Sequence, residues 1–153
     1  MKKPFLLISM SLLILSCSTD SEPKTEPDDK IIGTWQFYGS KYYATDGSTF
    51  EREANSCTGQ STITFRRNET MSSMTYMVGG MQECLINETA NENSENIPWE
   101  NLSEGKYKIG IRVRDSIFFP DQDTMEMMIY QNSYDNINEI EIDKKSDVYT
   151  RVD

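Results

Sequence analysis

Residues 31–38, Ile-Ile-Gly-Thr-Trp-Gln-Phe-Tyr, determine how the rest of this 153-residue chain is interpreted. The side chains of this stretch fall into two interleaved sets, as the period of two in a β-strand requires. Similar short runs follow as far as the C-terminus, with turn residues roughly every 8–14 positions and no helical period of 3.6. The sequence therefore predicts an all-β domain, an antiparallel barrel or sandwich of about eight to ten strands.

The first sixteen residues have the composition of an export signal. Lys2 and Lys3 precede an apolar run from Pro4 to Leu15, which is too short to span a bilayer as a permanent helix. Residues 1–16 are therefore predicted to be a signal peptide. An ordinary secretory signal cleaved nearby and an uncleaved anchor remain alternatives.

Residues 14–17, Ile-Leu-Ser-Cys, resemble the lipobox of bacterial lipoproteins. The resemblance implies cleavage before Cys17, lipidation of Cys17 and attachment to a membrane, here the outer membrane, since two or three acyl chains make a stable anchor. Residues 17–30 contain no large apolar residue after the cysteine, which predicts a disordered acidic tether. Asp20 and Glu22 resemble a surface-export signal of Bacteroidetes-type lipoproteins, and both the periplasmic and the surface-facing side remain open.

Composition excludes several classes of function. The chain carries a net charge of −10 and has no basic stripe, which argues against nucleic acid as a partner. It has no histidine, which excludes Ser-His-Asp catalysis and His-ligated zinc. Asp121, Asp123 and Glu126 lack the spacing of a calcium loop and are predicted to lie in a solvated turn. We therefore expect neither an enzyme nor a cofactor or metal site.

Cys57 and Cys84 remain once Cys17 is assigned to the lipid. An even number of cysteines in an exported domain favours a disulfide, which here would staple the two ends of a predicted hairpin over residues 61–78. Two free buried thiols are the alternative.

Three further local predictions concern turns and strands. Asp46-Gly47 predicts a hairpin turn. Residues 106–114 alternate so regularly that one strand is predicted, with Tyr107, Ile109, Ile111 and Val113 on one face. Residues 144–147 are polar and are predicted to form the last turn.

The order of several motifs resembles the lipocalin-like domain of bacterial lipoproteins. These motifs are Gly33-Thr34-Trp35, the pair Cys57 and Cys84, Trp99, and the terminal Tyr149-Thr150-Arg151-Val152. The resemblance covers residues 31–153 and implies an up-and-down β-barrel of about eight strands, whose interior holds side chains or one small ligand. It also implies that Gly33 and Trp35 lie at the closed end of the barrel, with Arg151 packed across Trp35 in a cation–π contact.

The resemblance leaves the function open between two classes. A lipid-anchored barrel that binds a small hydrophobic ligand is one, and a solid barrel acting as an interaction or structural module of the envelope is the other. The methionines suit either an adaptable cavity or core packing: Met71, Met74, Met77, Met81, Met125, Met127 and Met128. Ligand-binding residues are not identified by the sequence.

Overall fold

The computed structural model describes residues 29–152, without the side chains of residues 130–132. A short helix, α1 (Glu88–Asn91), and a 3-10 turn (Thr58–Gln60) lie between the strands. The strands are β1 (Gly33–Ala44), β2 (Thr49–Glu53), β3 (Thr62–Phe65), β4 (Thr70–Met74), β5 (Tyr76–Val78), β6 (Cys84–Ile86), β7 (Ile97–Ser103), β8 (Lys106–Ile109), β9 (Arg112–Arg114), β10 (Ile117–Phe118), β11 (Thr124–Asp135) and β12 (Ile140–Arg151). The predicted all-β class is confirmed.

Ten of the strands form one antiparallel sheet. Its order is β10-β11-β12-β1-β3-β4-β7-β8-β9, with β2 added beside β1, whereas β5 and β6 pair only with each other. Neighbours follow the chain order, as in a meander, except that β1 joins the C-terminal strand β12, β3 follows β1, and β7 follows β4. Strand pairing does not join β10 to β9, so the described residues contain no closed barrel.

The sheet nevertheless coils around a single core. Tyr107 on β8 and Ile117 on β10, near opposite ends of the sheet, belong to the same buried cluster as Trp35, Phe65 and Trp99. The amide of Ile117 also donates a hydrogen bond to the carbonyl of Gly105, at 2.9 Å, in the turn before β8. The concave face of the sheet is therefore the buried face.

The predicted turn at residues 144–147 is wrong, because β12 runs unbroken through it. Lys144 and Lys145 pair with Tyr43 and Tyr42 of β1. The ammonium groups lie over these rings, at 5.3 Å from Tyr43 and 6.0 Å from Tyr42. Cation–π contacts of this kind stabilise the strand conformation of residues 144–147, although these polar residues by themselves favour a turn. The hairpin turn at Asp46-Gly47 is confirmed, between β1 and β2.

The single strand predicted over residues 106–114 is also wrong. The chain reverses at Gly110 and Ile111, so that β8 and β9 form a hairpin in which Ile109 faces Arg112. Gly110 has a φ of 57°, in the left-handed region that glycine adopts readily. As a result Ile111 is 97% exposed, and it does not share a buried face with Tyr107.

The folded domain begins earlier than the predicted boundary at residue 31. The carboxylate of Asp29 accepts hydrogen bonds from the amide of Ile31 at 3.0 Å, from the phenol of Tyr107 at 2.7 Å and from the amide group of Asn101. Asp29 and Lys30, which the sequence assigned to the tether, therefore contact the domain. Within residues 29–152, no helix combines the length and the apolar character needed to cross a membrane.

Candidate functional site

One end of the concave face is filled by Trp35. Its side chain is fully buried, and its indole N–H donates to the carbonyl of Ile31 at 2.8 Å. Phe119 packs against the indole with a centroid separation of 5.8 Å. Since Trp35 pairs with Arg151 in the register of β1 and β12, the arginine side chain lies on the same face.

Arg151 covers the indole ring. Its guanidinium carbon lies 4.2 Å from the ring centroid, the contact that the lipocalin resemblance implied. The guanidinium also donates to three backbone carbonyls, those of Gln122 at 3.1 Å, Ile32 at 2.8 Å and Lys30 at 2.9 Å. These bonds join the start of the domain, the β10–β11 turn and the end of β12. This end of the domain is therefore held by packing on Trp35 and by hydrogen bonds from a single guanidinium.

A cup opens on the same face, one layer further along the strands. It has a volume of about 320 Å³ and is lined by Phe37, Thr58, Ser61, Thr62, Ile63, Met71, Ser73, Thr75, Tyr76, Asp147 and Tyr149. Phe37 lies two residues after Trp35 on β1, and Tyr149 lies two residues before Arg151 on β12. Because residues two apart in a strand face the same side, Phe37 faces the same side as Trp35, and Tyr149 the same side as Arg151. The cup therefore lies directly beyond the Trp35 layer.

The floor of the cup is apolar and aromatic. Phe37 and Tyr149 pair across β1 and β12, and their rings meet edge-on at 5.5 Å. Burial raises the pKa of Tyr149 well above its usual range, and the negative charge of Asp147 adds to this effect while Arg114 opposes it. At neutral pH the phenol is consequently un-ionised, and the floor carries no charge of its own.

Polar groups are placed at the edge of the cup. The Asp147 carboxylate accepts a hydrogen bond from the Ser40 hydroxyl at 3.1 Å and pairs with the Lys145 ammonium at 2.9 Å. The hydroxyl of Ser61 accepts from the amide of Tyr76 at 2.9 Å. An uncharged floor with hydroxyls and one paired carboxylate at its edge suits a small, largely apolar, neutral molecule.

The β5–β6 hairpin forms one wall of the cup through Thr75 and Tyr76. Cys57 and Cys84 form a disulfide, as predicted, and this bond ties β6 to the segment before β3. Asn91 of α1 holds the base of the hairpin, where its side chain accepts from the amide of Thr75 at 2.8 Å and donates to its carbonyl at 3.1 Å. The wall is thus fixed at its base, whereas Met81 at its tip is 91% exposed.

A wider groove of about 1130 Å³ lies at the Trp35 end, between the β7–β8 turn and Phe118. Asp29 and Lys30, the first two described residues, form part of its border. The cup is lined by residues further along the sheet and has the apolar floor expected of a ligand site. We therefore take the cup as the candidate site.

The other residues singled out by the sequence are spread over the molecule. Cys17 lies outside the described residues. Of the seven methionines, Met71, Met125 and Met127 are buried in the core, whereas Met81 is 91% exposed. Only Met71 touches the cup, so the methionines do not line a common cavity.

The acidic residues considered for calcium do not converge. Asp121 caps its own turn by accepting from the amide of Asp123 at 2.8 Å and from the hydroxyl of Thr124 at 3.0 Å. Glu126 lies on the outer face, where it pairs with Lys41 at 3.6 Å and accepts from Tyr43 at 3.2 Å. Over residues 29–152, no group of three or more acidic or cysteine side chains is arranged to hold a metal ion.

Sequence reasoning did not identify most residues of the cup, and five of its eleven lining residues are serine or threonine. Ser61, Ser73 and Thr75 carry no motif, and a polar residue facing inwards interrupts the apolar alternation that marks a buried face. The sequence contains only an indirect indication of the cup. Strands rich in threonine, serine and methionine after position 61 suggest that this half of the interior is more polar. No model of a known protein family matches this chain, and the curated proteins contain no match to it.

Proposed function

We propose that this chain is an envelope lipoprotein, anchored in the outer membrane through Cys17, whose lipocalin-like domain binds a small hydrophobic ligand. The observation that carries the binding proposal is the cup, an apolar concavity beyond the packed Trp35 layer. Its volume of about 320 Å³ lies at the lower end of the range for small-molecule sites, roughly 300–1,000 Å³. The ligand is thus a compact molecule, smaller than a long acyl chain.

The barrel forms part of the same proposal. Eight strands (β1, β3, β4, β7, β8, β10, β11 and β12) would make the wall, with closure between β8 and β10. The hydrogen bond from Ile117 to Gly105 and the core shared by Tyr107 and Ile117 support this closure. Gly33, Trp35 and Arg151 would then mark the closed end of the barrel and the cup its open end.

Asp147 narrows the chemistry of the ligand. Its carboxylate is neutralised by Lys145 and lies beside the partly buried Tyr149, so an additional negative charge in the cup would meet a carboxylate and an un-ionised phenol. We therefore propose a neutral ligand whose apolar body rests on Phe37, Ile63 and Tyr149. Its hydrogen-bonding group would face the hydroxyls at the edge of the cup. No side chain here supplies a histidine-type base, and we propose binding without catalysis.

Binding is tested with a matched pair of variants on β4. Ser73 and Ser72 are adjacent, but Ser73 pairs with Ile63 and lines the cup, whereas Ser72 pairs with Thr64 and accepts from Arg66 on the outer face at 2.7 Å. Ser73→Leu should weaken binding of the neutral fluorescent probe aminoanthracene by at least about tenfold, because the larger side chain occupies the cup. Ser72→Leu should leave binding unchanged.

Thermal unfolding of both variants separates a filled cup from a damaged fold. Native mass spectrometry of the extracted wild-type chain should also show a bound species smaller than a phospholipid. Equal probe affinity in the two variants, or no binding by a folded wild type, would overturn the ligand proposal in favour of a barrel that acts only through its surface.

The anchor is tested separately. Cys17→Ala should abolish incorporation of labelled palmitate and release the chain from membranes. Persistent labelling would show that the lipid is not on Cys17. Protease treatment of intact cells then shows whether the domain faces the surface or the periplasm.

A further inference from the structure

Two grooves at the Trp35 end of the domain meet at one apolar loop. The wider groove, of about 1130 Å³, and a second groove, of about 540 Å³, are both lined by Lys30, Phe119 and Pro120. Phe118 is 48% exposed and Pro120 is exposed, whereas Phe119 is half-buried and packs on the indole of Trp35. We call Phe118, Phe119 and Pro120 the apolar loop.

The apolar loop is held firmly from behind. Ile117, just before it, is buried and pairs with Met127 of β11, and its amide donates to the carbonyl of Gly105 at 2.9 Å. After the loop, the carboxylate of Asp121 caps the turn that leads into β11. Because the loop is already ordered, docking it on another surface costs little conformational entropy.

The chain leads towards Cys17 from a point beside this loop. Lys30 lines both grooves, and its carbonyl accepts a hydrogen bond from Arg151 at 2.9 Å. Cys17 lies 12 positions before Asp29, a distance of at most about 43 Å for a fully extended chain. Since the 12 residues of β1 alone span about 40 Å, the Trp35 end is the end of the domain nearest to a lipid on Cys17.

The composition of the connecting segment argues against that segment as the cover of the apolar loop. Residues 18–28 contain four acids and no large apolar side chain, so they have nothing to bury against phenylalanine rings. A lipid bilayer, in contrast, is apolar and lies within reach of this end. The charged residues that line the two grooves have mixed signs: Asp29, Lys30, Glu104, Asp121, Asp123 and Arg151. Mixed charge suits a zwitterionic headgroup layer rather than an anionic one.

We propose that the apolar loop inserts into the interface of a zwitterionic phospholipid bilayer, so that the Trp35 end of the domain rests on the membrane. The inference rests on the proposed lipidation of Cys17, which brings the loop to the bilayer. Two exposed apolar side chains bind a membrane weakly by themselves, but attachment through Cys17 keeps the local concentration of lipid high. The cup, one layer further along the strands, stays on the aqueous side.

Quenching of tryptophan fluorescence by brominated lipid tests the contact. Phe118→Trp places the reporter on the apolar loop. The matched control is Ile137→Trp, at a position that is 78% exposed in the β11–β12 turn, beyond the pairing of Ala44 with Ile142 at the opposite end of the domain. Each full chain is extracted from the cells that produce it and reconstituted in phosphatidylcholine vesicles, with or without bromine on the acyl chains.

Bromine should quench the indole added by Phe118→Trp by at least about half, because apolar groups inserted at the interface lie about 5–10 Å deep, near the acyl chains. The indole added by Ile137→Trp should keep its emission. Trp35 and Trp99 are buried in both variants, and the wild-type chain measures their contribution. Circular dichroism shows whether each variant is folded, and Pro120→Trp reports from the same loop if Phe118→Trp does not fold.

Three results overturn the inference. The first is a folded, vesicle-bound chain whose loop reporter is not quenched, and the second is equal quenching of the reporter at position 137. The third is a blue shift of the loop emission that is the same in both kinds of vesicle and comes without quenching, which would show that protein and not lipid covers the loop.

Palmitate labelling of the same preparations separates this inference from the proposed anchor. A chain without label on Cys17 contradicts the anchor, and the inference falls with it. A labelled chain without quenching contradicts only the docking of the apolar loop. Binding of aminoanthracene in the cup is independent of both results.

Discussion

Replacing Arg151 with lysine keeps the positive charge but removes the planar guanidinium group and its several N–H donors. In the native domain the guanidinium stacks on Trp35 at 4.2 Å and donates to three backbone carbonyls. A lysine ammonium is a compact charge that cannot cover the indole and reach all three carbonyls at once. The substitution therefore tests geometry at constant charge.

The size of the effect follows from these contacts. A hydrogen bond to a charged donor contributes about 1.5–3 kcal/mol when buried, but only the bond to Ile32 is partly buried and the other two are exposed. A cation–π contact at a partly exposed site contributes about 0.5–1 kcal/mol. Arg151→Lys should therefore cost about 1–3 kcal/mol of unfolding free energy. Arg151→Met, which removes the charge as well, should cost about 2–4 kcal/mol.

Urea denaturation with the disulfide intact measures these changes. Tryptophan fluorescence and circular dichroism should give the same transition if unfolding is two-state. Arg66→Lys is the control, since Arg66 donates to an exposed serine hydroxyl at 2.7 Å and its replacement should change stability by less than about 0.5 kcal/mol. If Arg151→Lys lowers the unfolding free energy by no more than Arg66→Lys does, the stabilising role proposed for the Arg151 guanidinium is refuted.

Three further outcomes are expected. Gly39→Ala should destabilise the domain by about 1–3 kcal/mol in the same denaturation assay, because its Cβ would meet the carbonyl oxygen of Arg52 and lie 2.9 Å from the Cα of Glu53; unchanged stability would show that β2 moves freely. Burial raises the pKa of Tyr149, so the unfolded chain ionises above about pH 10 while the folded chain stays neutral, and stability falls as pH rises. Above pH 10 the stability of Tyr149→Phe should fall less steeply than that of the wild type, by about 1.4 kcal/mol per pH unit, and equal slopes would show that folding does not raise the pKa of Tyr149. Cys84→Ser should cost roughly 3–4 kcal/mol by the chain-entropy estimate, and the reduced wild type should match it; a variant as stable as the oxidised chain would contradict the stapling role of the disulfide.

Parts of the fold could be predicted because one local signal decided each of them. Counting cysteines was sufficient for the pair Cys57 and Cys84, since one of the three was assigned to the lipid and two remaining cysteines in a domain expected to be exported favour a disulfide. The all-β class followed from short alternating runs. The Trp35–Arg151 contact came from a family resemblance, and the register of β1 with β12 places these residues opposite each other.

Residues 106–114 show where alternation loses its meaning. A strand and a tight hairpin produce the same apolar-polar pattern when the turn itself contains an apolar residue. Ile111 occupies that turn and is 97% exposed, although its position in the pattern predicts burial. The reversal depends on the left-handed backbone of Gly110, and glycine within a strand pattern signals a bulge or close approach as readily as a turn.

The cup was beyond prediction because it depends on a shift in strand register. β1 pairs with β12 regularly up to Phe37 and Tyr149, but Val148 then pairs with Gly39, so Tyr38 is an extra residue. A one-residue insertion exchanges the faces of every residue that follows it. Strict alternation from Trp35 would turn Ser40 outwards, whereas the bulge turns it towards Asp147, where its hydroxyl bonds the carboxylate at 3.1 Å. The polar edge of the cup is therefore set by one residue, Tyr38, that has no partner in β12, and periodicity cannot reveal such a residue.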